Sequence, residues 1–434
     1  MANSKGLAAG TGSSVVVEQC QVCGHTDLES ILFVGYLPPV NQMRPIGQRP
    51  AEQPAYPAEW LYCRNCRLVQ LGLIVDPQIL FPPEYPYTSG TTKILRENFA
   101  EMYSEARELL SLKETDLIVD VGSNDGTLLS NFHKGGHQVF GIEPSQVGNL
   151  ASERGIPTLI SFFGKAVAEK VRGEQGAAAI VTATNVFAHI ENVHEIVEGI
   201  LTLLRPDGVF ISESHYLIGL LETLQYDTIY HEHLRYYSLQ SLQFLLNMHG
   251  LEVIHAKRIP THGGSIRVYA ARKGAHAPRK TVAELLRQEQ AAETAGAGLG
   301  KFKQRVVSSK LDLHALLAAI RKNGERVYGI GAPSRASTLI NYVGLDDAIL
   351  DCVLEVKGSL KIGKYMPGTL IPVLDESRLY EEQPDYVLLL SWHIADELIP
   401  NLRRRGYRGK YIVPLPEPHI VAHENQVVET AVSH

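Results

Sequence analysis

Two short cysteine pairs are the first residues of this 434-residue chain whose spacing could do chemistry. Cys20 and Cys23 form one CxxC turn, Cys63 and Cys66 form another, and only Cys352 is left over. A CxxC turn directs two sulfurs at one point, and two such turns supply the four soft ligands that tetrahedral zinc prefers. Four thiolates leave no open coordination position, so the predicted zinc is structural.

Disulfides and redox chemistry are the alternative uses of these cysteines. Two disulfides need an oxidising compartment, and the opening residues MANSKGLAAGTGSSVVVEQ lack the basic and apolar segments of a secretory signal. A single CxxC pair suits a redox site, whereas two pairs favour a shared metal. Free thiols together with a zinc site predict a cytoplasmic protein.

A glycine-containing turn follows the apolar run LIVDV at residues 117–121. The pattern predicts a strand, the turn GSNDG and a helix that starts at Thr127. Nicotinamide sites use GxGxxG so that backbone amides meet a pyrophosphate, whereas Asp125 would repel a phosphate. S-adenosylmethionine (SAM) has no phosphate and is positive at its amino group and sulfur, so acidic turn residues suit it. The residues expected to bind SAM here are Asp120, Gly122, Asn124, Asp125, Gly126 and Glu143.

Polar and aromatic residues also follow the next three predicted strands. Glu143 ends the second strand, where its carboxylate could accept hydrogen bonds from ribose hydroxyls. Phe162 and Phe163 follow the third strand and either flank an adenine or pack in the core. Asn185 and His189 follow the fourth, and open α/β sheets bind ligands at the carboxyl ends of their strands. The alternative is a plain strand-to-helix turn with a structural histidine.

The segment YHEH combines two histidines with a glutamate and a tyrosine. In an extended segment His231 and His233 share one face, and Tyr230 and Glu232 share the other. The segment lacks HExxH metal spacing, and a hydrogen-bonded structural cluster is a further alternative. Acid–base chemistry is favoured because histidine titrates near neutral pH and a nearby carboxylate can orient it.

Three other segments each allow a functional and a structural interpretation. Tyr85 and Tyr87, in the loop YPYTSG, are either active-site or packing residues. HGGS precedes a predicted strand and could be only a tight turn. GIGAPSR resembles a phosphate-binding turn at the start of a helix, although one glycine pattern is weak evidence. The substrate-binding candidates in the last two segments are His262, Gly263, Gly264, Ser265, Gly331, Ser334 and Arg335.

The composition is that of an ordinary globular protein. Hydrophobic residues make up 44% and charged residues 20%, and the formal net charge is -6. A nucleic-acid-binding protein usually carries a basic surface, so this balance argues against that class. No apolar run is long enough to cross a membrane. We therefore expect neither a nucleic-acid nor a membrane partner.

The elements that position these residues alternate between strand and helix. LIVDVG, HQVFGIE, AAAIVTATNVF, GVFISES and IRVYAAR read as strands with helical segments between the first four, which predicts a doubly wound, largely parallel sheet. A second alternation begins at RVYGIGA. The Pro-rich stretch between the cysteine pairs favours loops and short edge strands. The expected divisions are a flexible leader (1–18), a zinc-binding domain (19–85), a SAM-binding domain (86–275), a helical connector (276–325), a C-terminal α/β domain (326–420) and a tail (421–434).

The motifs and their order resemble the SAM-dependent sugar C-methyltransferases of the tetronitrose C3-methyltransferase type. The similarity runs from Cys20 to about His419 and takes in both CxxC turns, YPYTSG, VGSNDG, ATNVFAHI, YHEH, HGGSIR and YGIGA. The combination of these motifs and their order are specific. The resemblance implies a zinc-binding N-terminal domain, a central Rossmann-like methyltransferase domain and a C-terminal Rossmann-like domain that binds a sugar nucleotide.

The resemblance also implies a reaction, the methylation of a nucleotide-linked 4-keto-6-deoxy sugar at carbon, most commonly C3. The family's base falls on His233, which would remove a proton beside the ketone and leave an enolate. Tyr230, Tyr85 or His189 would donate to the oxyanion at C4. Glu232 and Asn185 complete the implied catalytic set, Glu232 by orienting groups. We expect a monomer.

The chain departs from the family pattern at one turn, and two other classes of enzyme are alternatives. Many relatives carry a lysine after the second alanine of YGIGA, where this chain has Pro333, Ser334 and Arg335; Arg335 could instead bind a diphosphate through two hydrogen bonds. An O- or N-methyltransferase acting on a small metabolite has no need of an enolising base such as His233. A zinc-ribbon RNA methyltransferase predicts a basic surface near the cysteines, and CRNCRLVQ contributes only two arginines there.

Overall fold

The computed structural model describes residues 14–49, 53–80, 92–292 and 294–422. Tyr85 and Tyr87, predicted to be an active-site and a substrate-binding residue, lie outside these residues. Within the described chain, the N-terminal segment, the central segment and the C-terminal segment each build on a sheet of their own.

The N-terminal segment forms an antiparallel sheet of order β11–β4–β3–β2, whose first strand, β11 (Arg235–Tyr236), comes from the central segment. The described part of the Pro-rich stretch, 38–49 and 53–55, is loop as expected apart from a bridge at Pro45, but the strands on either side of it are not short, since β2 has ten residues and β3 has eight. Long strands form because Val34 and Trp60 are buried and Trp60 stacks on Phe302, 5.4 Å between ring centroids. The elements are β1 (Val15–Val16), β2 (Leu28–Leu37), β3 (Tyr56–Cys63), β4 (Val69–Leu71), β5 (Leu73–Ile74) and α1 (Pro77–Leu80).

The central segment is a seven-stranded sheet of order β12–β13–β10–β9–β6–β7–β8. Its five strands from β10 to β8 run parallel, and β12 and β13 are antiparallel additions. Every residue of β6 is buried, as expected of a strand covered on both faces. The seven strands of this sheet are β6 (Leu117–Val121), β7 (Gln138–Glu143), β8 (Thr158–Ile160), β9 (Ala178–Thr184), β10 (Leu204–His215), β12 (Leu251–Ile259) and β13 (Ser265–Arg272).

Helices follow most of these strands, and the chain order reverses between β6 and β9. In an open α/β sheet that reversal opens a crevice at the carboxyl ends of the strands, where ligands bind. The helices are α2 (Lys93–Leu109), α3 (Thr127–Lys134), α4 (Gly148–Glu153), α5 (Lys165–Gln175), α6 (Val193–Leu203), α7 (Leu217–Glu222) and α8 (Leu239–Met248).

The helices α9 (Lys280–Ala291) and α10 (Ala297–Lys322) lead into the C-terminal segment. Its sheet has the order β16–β15–β14–β17–β18–β19, parallel except for β19, and reverses between β14 and β17. This is a doubly wound arrangement, with a crevice expected where the order reverses. The elements are β14 (Val327–Ile330), α11 (Ser334–Val343), β15 (Cys352–Glu355), β16 (Val373–Asp375), α12 (Ser377–Glu382), β17 (Tyr386–Leu389), α13 (Ala395–Arg404), β18 (Lys410–Val413) and β19 (His419–Val421).

Two hydrophobic cores connect the three segments. One runs from the N-terminal sheet through α7 and α10 to the C-terminal sheet, and the other joins the cysteines to the central sheet. The predicted fold class is confirmed, because a small cysteine-containing segment is followed along the chain by a central and a C-terminal α/β unit. No helix in the described part of the chain has the length and apolar character of a membrane span.

Candidate active site

The four predicted zinc ligands come together. Cys20 Sγ lies 3.4 Å from Cys66 Sγ, Cys23 Sγ lies 3.5 Å from Cys63 Sγ, and all four sulfurs are within 4.8 Å of one another. Zn–S bonds of about 2.3 Å in a tetrahedron separate sulfurs by about 3.8 Å, so the cluster fits zinc. Among the described residues, no other group of three or more histidine, cysteine or carboxylate side chains is so close.

A pair of histidines attaches this cluster to the central segment. His194 Nε2 lies 2.8 Å from the carbonyl oxygen of Val22, inside the first CxxC turn, and His194 Nδ1 lies 2.8 Å from His249 Nε2. A carbonyl can only accept, so Nε2 of His194 donates and, in the neutral ring, Nδ1 accepts from His249. The zinc turn is thereby hydrogen-bonded to α6 and to the end of α8.

The turn after β6 has the backbone that its glycines predict. Gly122 and Gly126 have φ of +73° and +74°, and Asn124 is also left-handed. The amide of Asn124 donates to Glu143 Oε2 at 2.9 Å, which holds the turn against the end of β7. Asp120 is buried and accepts from Thr182 Oγ1 at 2.6 Å, and burial raises the pKa of Asp120 to about 7.

The other expected cofactor residues differ in their surroundings. Asp125 Oδ1 accepts from the amide and hydroxyl of Thr127, and Asp125 Oδ2 lies 3.3 Å from Arg154 Nη1. Asp125 thus fixes the start of α3, which agrees with the alternative that this segment is a plain strand-to-helix turn. Phe162 is 77% exposed, whereas the Phe163 ring packs against Gly199 of α6, so the two rings do not line one pocket.

The YHEH segment is folded into turns, and the expectation of an extended segment with both histidines on one face is wrong. A 3-10 turn covers Tyr226–Thr228, and the amide of His233 donates to the carbonyl of Tyr230 at 2.9 Å. His231 therefore lies on another side, with Nε2 3.1 Å from the carbonyl oxygen of Pro57 in β3.

His233 lies in a buried group of rings. Its Nδ1 is 2.9 Å from the carbonyl oxygen of Thr228. The ring centroids of Tyr230, His215 and His189 lie 4.2, 4.8 and 5.0 Å from that of His233. Burial and the neighbouring His189 hold the pKa of His233 well below its ordinary range, so the imidazole is neutral at pH 7.

Asn185 and His262 lie on the same side of this group. Asn185 Nδ2 is 3.4 Å from His262 Nε2, and the rings of His262 and His215 are 5.5 Å apart. Burial lowers the pKa values of His262 and His189 to about 4. Asn185 Oδ1 is buried without a hydrogen-bond partner among the described residues, which leaves an acceptor for a ligand.

Glu232 and the HGGS turn hold this arrangement in place. Glu232 Oε1 accepts from Asn41 Nδ2 of the N-terminal segment at 2.6 Å. The carbonyl of Gly263 accepts from Gln225 Nε2 at 2.6 Å. The carbonyl of Gly264 accepts from the amide of Tyr216, and Ser265 Oγ donates to the carbonyl of Thr261.

Arg335 does not reach toward an open diphosphate site. Its Nε lies 3.2 Å from Asp227 Oδ2, its Nη2 donates to Gln225 Oε1 at 2.6 Å, and its guanidinium lies over the ring of Trp392. The buried guanidinium of Arg335 is thus already bonded to other protein groups, so the expected bidentate contact of Arg335 with a diphosphate is not supported. Ser334 begins α11, and Gly331 has φ +82° in the preceding turn.

Sequence reasoning missed His215 and Lys361. His215 ends β10, so the rule that selected Asn185, a polar residue at the carboxyl end of a buried strand, could have found it. Lys361 Nζ donates to the carbonyl of Ala332, at 2.5 Å, beside the turn before α11. Burial lowers the pKa of Lys361, although Glu355 and Glu232 are close enough to oppose that shift. No local pattern in the sequence distinguishes Lys361 from a surface lysine.

Three family models match successive parts of the chain. They are described as "Putative zinc binding domain" for residues 20–81, "Methyltransferase domain" for residues 95–256 and "C-methyltransferase C-terminal domain" for residues 260–416. Together with the crevice between β6 and β9 and the four-cysteine cluster, they define a SAM-dependent methyltransferase with an N-terminal zinc-binding domain.

The chain belongs to the C-methyltransferase family. It is 33% identical to the C-methyltransferase NovU of Streptomyces niveus over 413 residues, which are 94% of this chain and 98% of that protein. The resemblance inferred from the motifs is confirmed at this level, as are the two cofactors. Family membership also removes the O- or N-methyltransferase and RNA methyltransferase alternatives.

Solved methyltransferase structures resemble only part of the chain. Magnesium protoporphyrin IX methyltransferase (ChlM) from Synechocystis PCC 6803, with bound SAM, covers 41% of this chain and 79% of its own at 12% identity and a TM-score of 0.32. The plantazolicin methyltransferase BpumL, with a desmethylPZN analog and SAH, covers 42% and 86% at 12% identity and a TM-score of 0.34. Likenesses this loose bear on neither cofactor nor substrate.

Proposed function

We propose that this enzyme methylates C3 of a nucleotide-linked 4-keto-6-deoxy sugar through an enolate, with His233 as the base. The hydrogen bond between His233 and Thr228 is the main support. A carbonyl oxygen can only accept, so Nδ1 of His233 carries the proton. The low pKa keeps the ring neutral, and Nε2 then has a free lone pair. A neutral imidazole with one nitrogen fixed as donor is prepared to take a proton at the other.

Groups around His233 can stabilise the enolate that proton removal leaves. The Tyr230 ring lies tilted against the His233 ring, with 4.2 Å between their centroids, and the Tyr230 hydroxyl is a candidate donor to the oxygen at C4. His189, whose ring centroid lies 5.0 Å from that of His233, is neutral and is the second predicted donor, and its backbone hydrogen bond to Glu232 fixes the position of its ring. Such donors stabilise a developing oxyanion most strongly where water is excluded. Tyr85 remains a third predicted donor.

The crevice at the ends of β6, β7 and β9 is the proposed cofactor site. Bound SAM supplies an electrophilic methyl group, which an enolate carbon can accept. We assign Asn185 Oδ1, a buried acceptor without a described partner, to hold the cofactor's amino group. Glu143, at the end of β7, is assigned to the ribose hydroxyls; its carboxylate now accepts from Asn124 and Ser145. The left-handed turn at Gly122 lets the backbone come close to the ligand.

We propose that the C-terminal domain binds the nucleotide part of the substrate. The reversal between β14 and β17 places its crevice at the turn before α11. Since Arg335 is occupied by Asp227 and Gln225, we assign the diphosphate to Lys361, whose ammonium makes one described hydrogen bond and has further donors. We also propose that the enzyme is monomeric and cytoplasmic, and none of its five cysteines forms a disulfide. The proposed domains remain the zinc-binding domain (19–85), the SAM-binding domain (86–275), the helical connector (276–325) and the C-terminal domain (326–420).

Solvent deuterium exchange tests this function without the cofactor. The enzyme is incubated in D₂O with a panel of nucleotide-linked 4-keto-6-deoxy sugars, and loss of the C3 proton is followed by NMR. We expect exchange with at least one sugar, and its loss in His233→Asn. His276→Asn is the matched control, because His276 lies at the surface and hydrogen-bonds only a backbone carbonyl. Exchange at the wild-type rate in His233→Asn would exclude His233 as the base.

A further inference from the structure

A buried base must dispose of the proton that it takes. His233 is 4% exposed, and its Nδ1 is held by the carbonyl of Thr228. After proton removal the His233 ring carries a positive charge with no carboxylate among its described hydrogen-bond and ring partners. Methyl transfer then uses up the enolate, so the proton cannot return to the carbon. The next turnover requires a route for this proton to solvent.

His215 is placed to provide that route. Its ring centroid lies 4.8 Å from that of His233 and 5.5 Å from that of His262. The antiparallel pairing of β10 with β13 sets this position, because His215 lies opposite Ser265, three residues after His262. Imidazoles at this separation, without a described hydrogen bond between them, can exchange a proton through one bridging water. No role in the proposed reaction otherwise accounts for His215.

Exposure and charge favour outward movement. His233 is buried, whereas His215 and His262 are both only partly buried, so these two rings have an access to solvent that His233 lacks. Arg335 carries a positive charge close enough to lower the pKa values of His215, His233 and His262. Beside the charge on Arg335, a second positive charge on a histidine ring is therefore costly to retain, although Asp227 compensates part of the charge on Arg335.

We propose that His215 accepts the substrate proton from His233 and passes it by way of His262 to solvent. This inference rests on the proposed function. The substrate C–H bond breaks as the His233 Nε2–H bond forms, and the electron pair stays on the substrate as the enolate. The proton then moves from His233 to a free ring nitrogen of His215, and from there outward. His233 is neutral again, and no oxidant or reductant takes part.

Two measurements on His215→Asn separate proton transfer from proton abstraction. Without the relay, the abstracted proton stays on His233 and returns to the same carbon, so solvent deuterium exchange without SAM should fall by at least about tenfold. The first turnover starts from neutral His233, so methyl transfer in a single turnover with SAM should stay within about threefold of wild type. Imidazole added to the buffer should restore part of the exchange.

Two results would overturn the proposal. If exchange and single-turnover methylation fall together in His215→Asn, His215 only positions other groups. If exchange is unchanged, His215 carries no proton. His215→Gln repeats the test with a longer side chain, and SAM affinity measured by calorimetry confirms that each variant is folded. His276→Asn is again the control. If wild-type enzyme exchanges no 4-keto sugar, the proposed function itself fails, which is a distinguishable result.

Discussion

Arg335 of the C-terminal domain pairs with Asp227 of the loop that carries His233, with Arg335 Nε 3.2 Å from Asp227 Oδ2. Trp392 Nε1 donates to the same oxygen at 2.7 Å, and Arg335 also holds Gln225. Gln225 in turn binds the carbonyl of Gly263, next to His262. The C-terminal domain thereby sets the position of both loops that bring histidines into the site.

Removal of Arg335 should destabilise the protein strongly. Asp227 is fully buried, and a buried carboxylate without its partner costs about 3–5 kcal/mol. We expect Arg335→Met to lower the midpoint of urea unfolding, followed by circular dichroism, whereas Arg404→Met, at an exposed position, should not. Asp227→Asn combined with Arg335→Met should recover part of the loss. Equal midpoints for Arg335→Met and wild type would show that the pair adds nothing.

Stability should fall between pH 7 and pH 5. Burial lowers the pKa values of His189 and His262 to about 4, from an ordinary value near 6.5. Between these values the unfolded chain binds more protons than the folded one, so the free energy of unfolding decreases as the pH falls. Each histidine contributes at most about 1.4 kcal/mol per pH unit.

Urea unfolding at several pH values measures that slope, and His262→Gln should reduce it while His276→Gln should not. The deuterium-exchange rate should meanwhile stay flat from pH 8 to pH 7, because the pKa of His233 lies well below its ordinary value. A midpoint near pH 7 for exchange would assign the base to another group.

Substitution of Lys361 should weaken binding of the nucleotide part alone. A charge-assisted hydrogen bond contributes about 1.5–3 kcal/mol, so Lys361→Met should raise the dissociation constant of a nucleoside diphosphate by about tenfold or more. The affinity for SAM should not change, since SAM is assigned to the other crevice. Calorimetry with dTDP, GDP and UDP makes the measurement, and Lys357→Met, at an exposed position nearby, is the control. Unchanged affinity for all three would remove Lys361 from the diphosphate site.

Zinc removal should unfold the N-terminal segment first. We expect about one zinc per chain by metal analysis, because the four cysteines form one tetrahedral set. Cys66→Ser should lose the metal and make the chain sensitive to proteolysis near the cysteine turns, with SAM affinity reduced much less. Cys352→Ser, outside the cluster, should keep both the metal and the resistance. A metal content unaffected by Cys66→Ser would contradict the assignment.

Features that depend on local pattern could be predicted from the sequence. The CxxC turns, the strand and left-handed turn before α3 and the two helices of the connector follow from residue type and spacing. Features that depend on distant contacts could not. Asp227 and Arg335 are separated by more than a hundred residues, so nothing near Arg335 indicates that its guanidinium is occupied. The YHEH segment alternates like a strand but folds as turns, because His231 and His233 have hydrogen-bond partners on different sides.

The strand Arg235–Tyr236, two residues beyond His233, pairs with β4 and completes the N-terminal sheet. The zinc-binding segment is therefore not an interchangeable module, since part of its sheet is encoded with the proposed catalytic loop. A chimera that takes its first eighty or so residues from another enzyme would have to match this strand and the ring of Tyr236 against Trp60. A mismatch there would leave the edge of β4 unpaired right beside the loop that carries the proposed base.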